Sequence, residues 1–252
     1  MICYHADEKT FMPFLKSIYT VPELVKPNQY PFTIPVLSNG LNIEFSSNVT
    51  FLVGENGSGK STILEAIAEG CGFNPSGGSR NHSYRHHPTE SNLSSVLRLS
   101  WFPKVTSGFF MRAESFFNFA TYIDELAQDD PGVLNAYGGR SLHQQSHGES
   151  FLSLFVNRFK RGIYILDEPE AALSPNRQLS FLTIIHELET SGKAQFIIAT
   201  HSPILLCYPG AVVLSIDSGT IKEIDYKDSG HYRLTKEFLD NPERYFRHLF
   251  AD

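Results

Sequence analysis

Phe51-Leu-Val-Gly54-Glu-Asn-Gly57-Ser-Gly59-Lys60-Ser61-Thr62 is the stretch on which the reading of this chain turns. The apolar run Val49 to Val53 reads as a buried strand. After the glycines, Ile63, Leu64, Ala66, Ile67 and Ala68 fall on the apolar side of a helix. Between strand and helix, Gly54 to Ser61 fits G-x-x-x-x-G-K-[ST], the phosphate-binding P-loop. Glycines let consecutive backbone N–H groups curl around a polyphosphate, and the new helix N-terminus adds the positive end of its dipole. The expected nucleotide contacts are Gly54, Glu55, Asn56, Gly57, Ser58, Gly59, Lys60, Ser61 and Thr62. Lys60 reaches for the β- and γ-phosphates, and the Ser61 hydroxyl is placed to ligate Mg²⁺. A chance glycine turn before a helix is the competing reading, and the strand before and helix after count against it. The expected ligand is a nucleoside triphosphate.

A second constellation lies downstream. Ile163-Tyr-Ile-Leu166 reads as a buried strand running into Asp167-Glu168-Pro169-Glu170. An Asp at the end of such a strand holds the Mg²⁺ shell opposite a P-loop, so Ser61 and Asp167 are the expected metal residues. Glu168, one residue further, is placed to polarise an attacking water as a general base. The alternative, an acidic cap on a helix start, is weakened by the P-loop. Phe196 to Ala199, another buried strand, leads into Thr200-His201-Ser202.

Outward from these motifs, Phe11, Phe14, Leu15 and Ile18 have helix-like spacing broken by prolines. Tyr30 to Leu37 reads as an edge strand, Asn39-Gly40 as a hairpin turn and Leu41 to Phe45 as the returning strand. Tyr30 and Phe32 are candidates to stack on a base, with core packing the equal alternative. Asn74 to Asn92 is polar and contains His82, His86 and His87, a possible metal cluster but more simply a solvated loop. Arg80, in a Gly/Ser loop beyond the P-loop helix, is a candidate to turn back to the phosphates; a plain surface arginine is the alternative. Val96 to Phe102 and Gly108 to Met111 read as two strands around a turn, Phe116 to Leu126 as a helix and Val133 to Gln145 as loop. Ser146-His147-Gly148-Glu149-Ser150 opens a helix, Asn176 to Glu189 forms another, Ala211 to Tyr226 makes a hairpin, and Asn241-Pro242 caps a last helix. Strands alternating with helices predict an α/β sheet with parallel strands.

Composition bounds the partners. With 252 residues and 41% hydrophobic content, the chain can bury a substantial core. A net charge of −6 gives no overall basic field for nucleic acid, although cations gather at Arg80, Arg85 and Arg98 and at Arg158, Lys160 and Arg161. Three dispersed cysteines suit reduced thiols, and no window has the length of a membrane span, so a cytoplasmic location is expected.

Five elements, in order, resemble the ATP-binding cassette (ABC) ATPases. Gly54–Ser61 is similar to their Walker A, Ser146–Ser150 to the signature, Leu166–Pro169 to Walker B, Ala172–Pro175 to the D-loop and Thr200-His201-Ser202 to the switch histidine. The resemblance covers residues 54 to 202 and leaves the ends aside. The signature S-H-G-E-S departs from the transporter L-S-G-G-Q and is closer to SMC and RecF-like DNA-repair ATPase heads and to stand-alone AAA-family ATPases of bacteria. The Gln-loop glutamine is missing, since no Gln lies between Gln29 and Gln128, and Glu114 is the candidate substitute.

The resemblance implies an α/β P-loop NTPase: an ABC-ATPase-like head with a RecA-like parallel sheet core, an N-terminal antiparallel β layer and a small signature-bearing helical lobe. It would be one domain over 1–252, with core 30–72 and 160–225, lobe about 112–160 and C-terminal helices 233–250. It further implies a homodimer that sandwiches two ATP-Mg²⁺. In that dimer Ser146 and Gly148 would cap the γ-phosphate held by the other copy's P-loop, with Glu149 among the nucleotide-binding residues, and His201 with Glu168 would hold the attacking water. The expected function is ATP hydrolysis driving work on nucleic acid or a partner protein. The nucleotide-binding subunit of a transporter and a nucleotide-gated scaffold with negligible turnover are the alternatives.

Overall fold

The computed structural model describes residues 12–75, 77–80, 92–144 and 147–251. The His82, His86 and His87 cluster, Arg85 and Ser146 lie outside them.

The P-loop strand β3 (Val49–Val53) is buried along its whole length and sits inside a six-stranded sheet. The other strands are β5 (Gly108–Arg112), β6 (Gly162–Asp167), β7 (Ala194–Ala199), β8 (Val212–Ser215) and β9 (Lys222–Ile224), in the order β5-β6-β7-β3-β8-β9. Pairing is parallel except at the edge, where β9 runs antiparallel to β8 across the expected hairpin. Buried parallel strands read as continuous apolar runs, which is why β3, β6 and β7 are legible in the sequence. Alternate residues serve opposite faces. Ile163, Ile165, Ile197 and Ala199 pack on the side of the P-loop helix, and Tyr164, Leu166, Phe196 and Ile198 on the other.

On the first face, α1 (Lys60–Gly70) separates the main sheet from a three-stranded antiparallel layer. That layer consists of β1 (Leu15–Thr20), β2 (Asn42–Glu44) and β4 (Leu97–Trp101), in the order β2-β1-β4, with the short α2 (Leu93–Val96) leading into β4. Two expectations are corrected here. The helix-like spacing of Leu15 and Ile18 belongs to the central strand of this layer: a register shift between Leu15 and Ser17 turns both side chains inward, so a bulge imitates the helical period. Residues 30–37 form no strand. Pro31 and Pro35 withhold backbone donors, and the segment closes as successive turns, Phe32 N–H to Gln29 at 2.8 Å and Ile34 N–H to Pro31 at 3.0 Å, before a 3₁₀ turn at Pro35–Leu37. Asn39-Gly40 is therefore no hairpin; Phe32, Val36 and Leu37 are nevertheless buried. The strands around 96–102 and 108–111 exist, but they belong to different sheets. The two sheets are joined by Gln195 of β7. Its side chain accepts from Leu15 N–H at 2.8 Å and donates to the Leu15 carbonyl at 3.0 Å.

The second face carries α3 (Phe116–Asp129), α4 (His147–Arg158) and α5 (Pro175–Thr190). Aromatic side chains fasten these helices to the sheet. Phe155 lies 4.3 Å from Phe159 and 4.7 Å from Phe181, ring to ring, and Phe159 stacks on Tyr164 at 3.8 Å. The segment expected to be loop, 133–145, instead makes 3₁₀ turns at Pro131–Tyr137 and Leu142–Gln144, because Tyr137 and Leu142 reach this core. The short α6 (Pro203–Leu206) follows His201. The chain ends in α7 (Gly230–Asp240), which packs on α6, and α8 (Pro242–Leu249), capped by the Asn241 side chain. No helix among the described residues is long and apolar enough to cross a membrane.

Candidate nucleotide site

Strand register assembles the site. Arg112 of β5 pairs with Asp167 of β6, Asp167 with Ala199 of β7, and Ala199 with Leu52 of β3, so the carboxyl ends of four strands form one row. Ligands of open α/β sheets bind at this edge.

Gly59 caps α1 in a left-handed conformation (φ 106°), and a Cβ there would lie 3.2 Å from both Ile34 Cγ2 and Val36 Cγ1. Position 59 thus needs glycine for both conformation and space. Lys60 is 5% exposed; its ammonium donates to the Gly54 carbonyl at 2.6 Å and the Glu55 carbonyl at 3.1 Å. Burial pulls its pKa below the ordinary lysine value, while Glu168, Asp167, Asp217 and Glu55 pull upward. Asp217, in the β8–β9 turn, pins the loop from outside by accepting the Glu55 N–H at 3.0 Å.

Asp167 is buried, which raises its pKa. The Ser61 hydroxyl and the Arg112 guanidinium act in the opposite direction. Its Oδ1 is buried and has no hydrogen-bond partner among the described residues. A buried carboxylate oxygen without a donor, beside a P-loop serine, is a donor set that fits Mg²⁺, an ion that takes few protein ligands and completes its shell with phosphate and water. Arg112 is the half-buried counter-charge: it pairs with Glu65 of α1, with Glu114 at 2.6 Å and with Asp167 at 3.5 Å. Glu114, the candidate for the missing glutamine, is thereby tied to the Asp167 network. Ser61, Arg112, Glu114, Asp167 and Glu168 line a cavity of about 360 Å³.

Glu168 follows Asp167 in a left-handed backbone conformation (φ 51°, ψ 52°), the one non-glycine residue with positive φ among the described residues. Its N–H donates to the Ala199 carbonyl at 2.9 Å, which turns the half-exposed carboxylate toward the β7 end. There Oε1 lies 3.3 Å from His201 Nε2, which has no hydrogen-bonded partner among the described residues. Glu170 accepts the His201 backbone N–H at 2.6 Å, and burial raises its own pKa. His201 is held below the ordinary histidine value, chiefly by burial and then by Lys60 and His231, while Glu168 pulls the other way. The 172–175 segment is linked to the same corner: Ser202 donates to Gln178 Oε1 at 2.5 Å, and Gln178 Nε2 donates to the Leu173 carbonyl at 3.1 Å.

The structure thus brings together the P-loop, Asp167, Glu168 and His201. It does not bring Arg80 to them. The Arg80 guanidinium caps the far end of α1 through the Cys71 carbonyl at 2.8 and 3.0 Å, about 16 Å along the helix from Lys60 at 1.5 Å per residue. With Arg158, Lys160 and Arg161 it borders a separate cavity of about 740 Å³ at the opposite sheet edge. Gly148 and Glu149 lie at the start of α4, where Arg177 covers Gly148 and reaches Glu149 at 3.5 Å; among the described residues they do not line the Asp167 cavity. Arg112, Glu65, Asp217, Glu170 and Gln178 escaped the sequence reading. Only Glu170 adjoined a motif; the others meet the site through long-range packing.

A strand–P-loop–helix unit facing an acidic strand end across a parallel sheet defines a P-loop nucleoside-triphosphate-binding protein. Two family models match the chain: "AAA domain" over residues 31–130 and "AAA domain, putative AbiEii toxin, Type IV TA system" over residues 101–206. The chain is thus similar to AAA-type ATPase domains over these residues, and its fold is that of a P-loop ATPase head. Among curated proteins the chain is 28% identical over 193 residues to the tungstate uptake system ATP-binding protein TupC of Campylobacter jejuni, covering 71% of this chain and 56% of that protein. The chain thus spans just over half the length of that relative. Among solved structures it is similar to "An inward-facing conformation of a putative metal-chelate type ABC transporter" (17% identity, TM-score 0.50, 89% of each chain). It is also similar to the SMC head domain from Thermotoga maritima (17% identity, TM-score 0.45, 84% of this chain and 98% of that one).

Proposed function

We propose that this chain hydrolyses ATP and that two copies close head to tail around two ATP-Mg²⁺. The observation that carries the proposal is the placement of Glu168 and His201 side by side, 3.3 Å apart, at the sheet edge that also holds the P-loop. The backbone N–H groups of the loop and Lys60 bind the phosphates, and nucleotide draws the ammonium away from the Gly54 and Glu55 carbonyls. Ser61 and Asp167 would hold Mg²⁺, which supplies charge neutralisation at the phosphates. Glu168 orients a water molecule and takes its proton, and His201 Nε2–H donates to the γ-phosphate. Gly148 and Glu149 stand apart from the Asp167 cavity of their own chain, as expected for groups that complete a site in a second copy. Ser146 is assigned with them on sequence alone. We further propose a single domain that works on nucleic acid or a partner protein in the cytoplasm.

Light scattering on size-exclusion chromatography tests this. The Glu168→Gln variant should pass from a 28.3 kDa monomer to a dimer when ATP-Mg²⁺ is added, while the wild type turns ATP over. A variant that stays monomeric, beside a wild type without turnover, refutes both hydrolysis and the sandwich. A second reading, a transporter's nucleotide-binding subunit, is favoured by the similarity to TupC. Its discriminating result is stoichiometric co-purification with a membrane protein.

A further inference from the structure

His231 lies outside every motif, at the second residue of α7. Its Nε2 is 2.8 Å from His201 Nδ1, and the two rings meet edge to face at 90°, with centroids 4.4 Å apart. A neutral imidazole carries one N–H and one bare nitrogen, so a bond between two imidazoles allows two tautomeric arrangements. In one, His201 Nδ1–H donates to His231. His201 then turns a bare Nε2 lone pair on the Glu168 oxygen 3.3 Å away, and acceptor faces acceptor. In the other, His231 Nε2–H donates to His201 Nδ1, and His201 presents Nε2–H to the carboxylate and to any phosphate oxygen that enters. Only the second arrangement gives both His201 nitrogens a complementary neighbour.

We propose that His231 is a positioning residue that locks His201 in its Nε2–H tautomer and in the ring orientation required toward the nucleotide. The idea rests on the assignment of His201 to the γ-phosphate, and it adds a C-terminal element to the site. Ser229 fixes the approach of α7: it is 2% exposed, donates to the Tyr226 carbonyl at 2.7 Å and caps the helix through Tyr232 N–H at 3.3 Å. α7 packs on α6, the helix that directly follows His201, so both rings are carried by adjoining elements. The relation parallels that of metal-site histidines, whose second nitrogen is bonded so that the first points correctly.

The test compares wild type, His231→Ala and His231→Gln. The Gln side chain places an N–H donor where His231 Nε2 stands; Ala removes it. Nitrogen–proton correlation spectra of ¹⁵N-histidine-labelled protein should show His201 as the Nε2–H tautomer in wild type and the Gln variant, and as a mixture in the Ala variant. ATPase kcat should fall about 3- to 10-fold in the Ala variant, the worth of one hydrogen bond, and return to within about twofold of wild type in the Gln variant. Nucleotide affinity and melting temperature should hold in both. Retention of the Nε2–H tautomer and of kcat in the Ala variant overturns the proposal. Equal losses of stability and affinity in both variants overturn it too, and mark His231 as a packing residue. If the wild type has no turnover, the hydrolysis reading fails by itself, while the tautomer spectra still decide the role of His231.

Discussion

Replacing Arg112 by methionine keeps the apolar stem and removes the charge. In the native protein this guanidinium is only a fifth exposed and faces Glu65 and Asp167, whose side chains are 10% and 5% exposed. Two unit charges 3.5 Å apart attract by about 5 kcal/mol at an effective dielectric constant of ~20. Desolvation cancels part of that, and removing one member of a buried pair costs about 3–5 kcal/mol because the other charge is stranded. Arg112 keeps some contact with solvent, so the lower end applies. A loss of about 3 kcal/mol in a domain of this size lowers the melting temperature by roughly 6–12 °C. The loss should also be conditional. Mg²⁺ with a non-hydrolysable ATP analogue brings positive charge to Asp167, so the deficit of Arg112→Met should shrink by more than half when both are present. Thermal melts of the two proteins, each with and without Mg²⁺ and analogue, check this. A variant that melts with the wild type, or a deficit that ignores Mg²⁺ and nucleotide, refutes the assignment of Arg112 as the counter-charge of the metal carboxylate.

Glu170→Gln should act through pH. Burial raises the Glu170 pKa above that of the unfolded chain, so the wild type loses stability as pH rises from the ordinary carboxylate range through the folded value. Glutamine keeps an oxygen for the His201 N–H and has no charge to bury, so urea midpoints should favour the variant at neutral pH and converge in acid; a constant difference sinks the argument. Gly59→Ala places a Cβ 3.2 Å from Ile34 and Val36 at φ 106°. It should cost about 1–3 kcal/mol and abolish binding of a fluorescent ATP analogue, and wild-type affinity would show that the loop tolerates the shift.

How much was legible in the sequence depended on how local each determinant is. β3, β6 and β7 announce themselves because strands buried on both faces are apolar throughout, and the P-loop because its glycines and lysine are contiguous. β1 carries a helix-like spacing because a bulge mimics the helical period, and 30–37 looks like a strand because apolar alternation around prolines is as compatible with turns as with an edge strand. The sequence allows Arg80 either a phosphate contact or a plain surface position; the structure gives a third answer, the cap of α1. Arg112, Asp217 and His231 could not be found by pattern. Each reaches the site through strand register or helix docking between residues far apart in the chain, and such pairings leave no mark on local spacing.

The backbone at Glu168 has a consequence for how this protein would fare in the laboratory. A residue with a Cβ pays about 1–2 kcal/mol to adopt the left-handed conformation that glycine adopts freely. A selection for heat resistance alone would therefore drift toward glycine or asparagine at position 168, and the survivors would be sturdier proteins that had given up the carboxylate beside His201. Directed evolution of this chain needs ATP consumption in the screen from the first round, since its most accessible gain in robustness lies at the residue assigned to the chemistry.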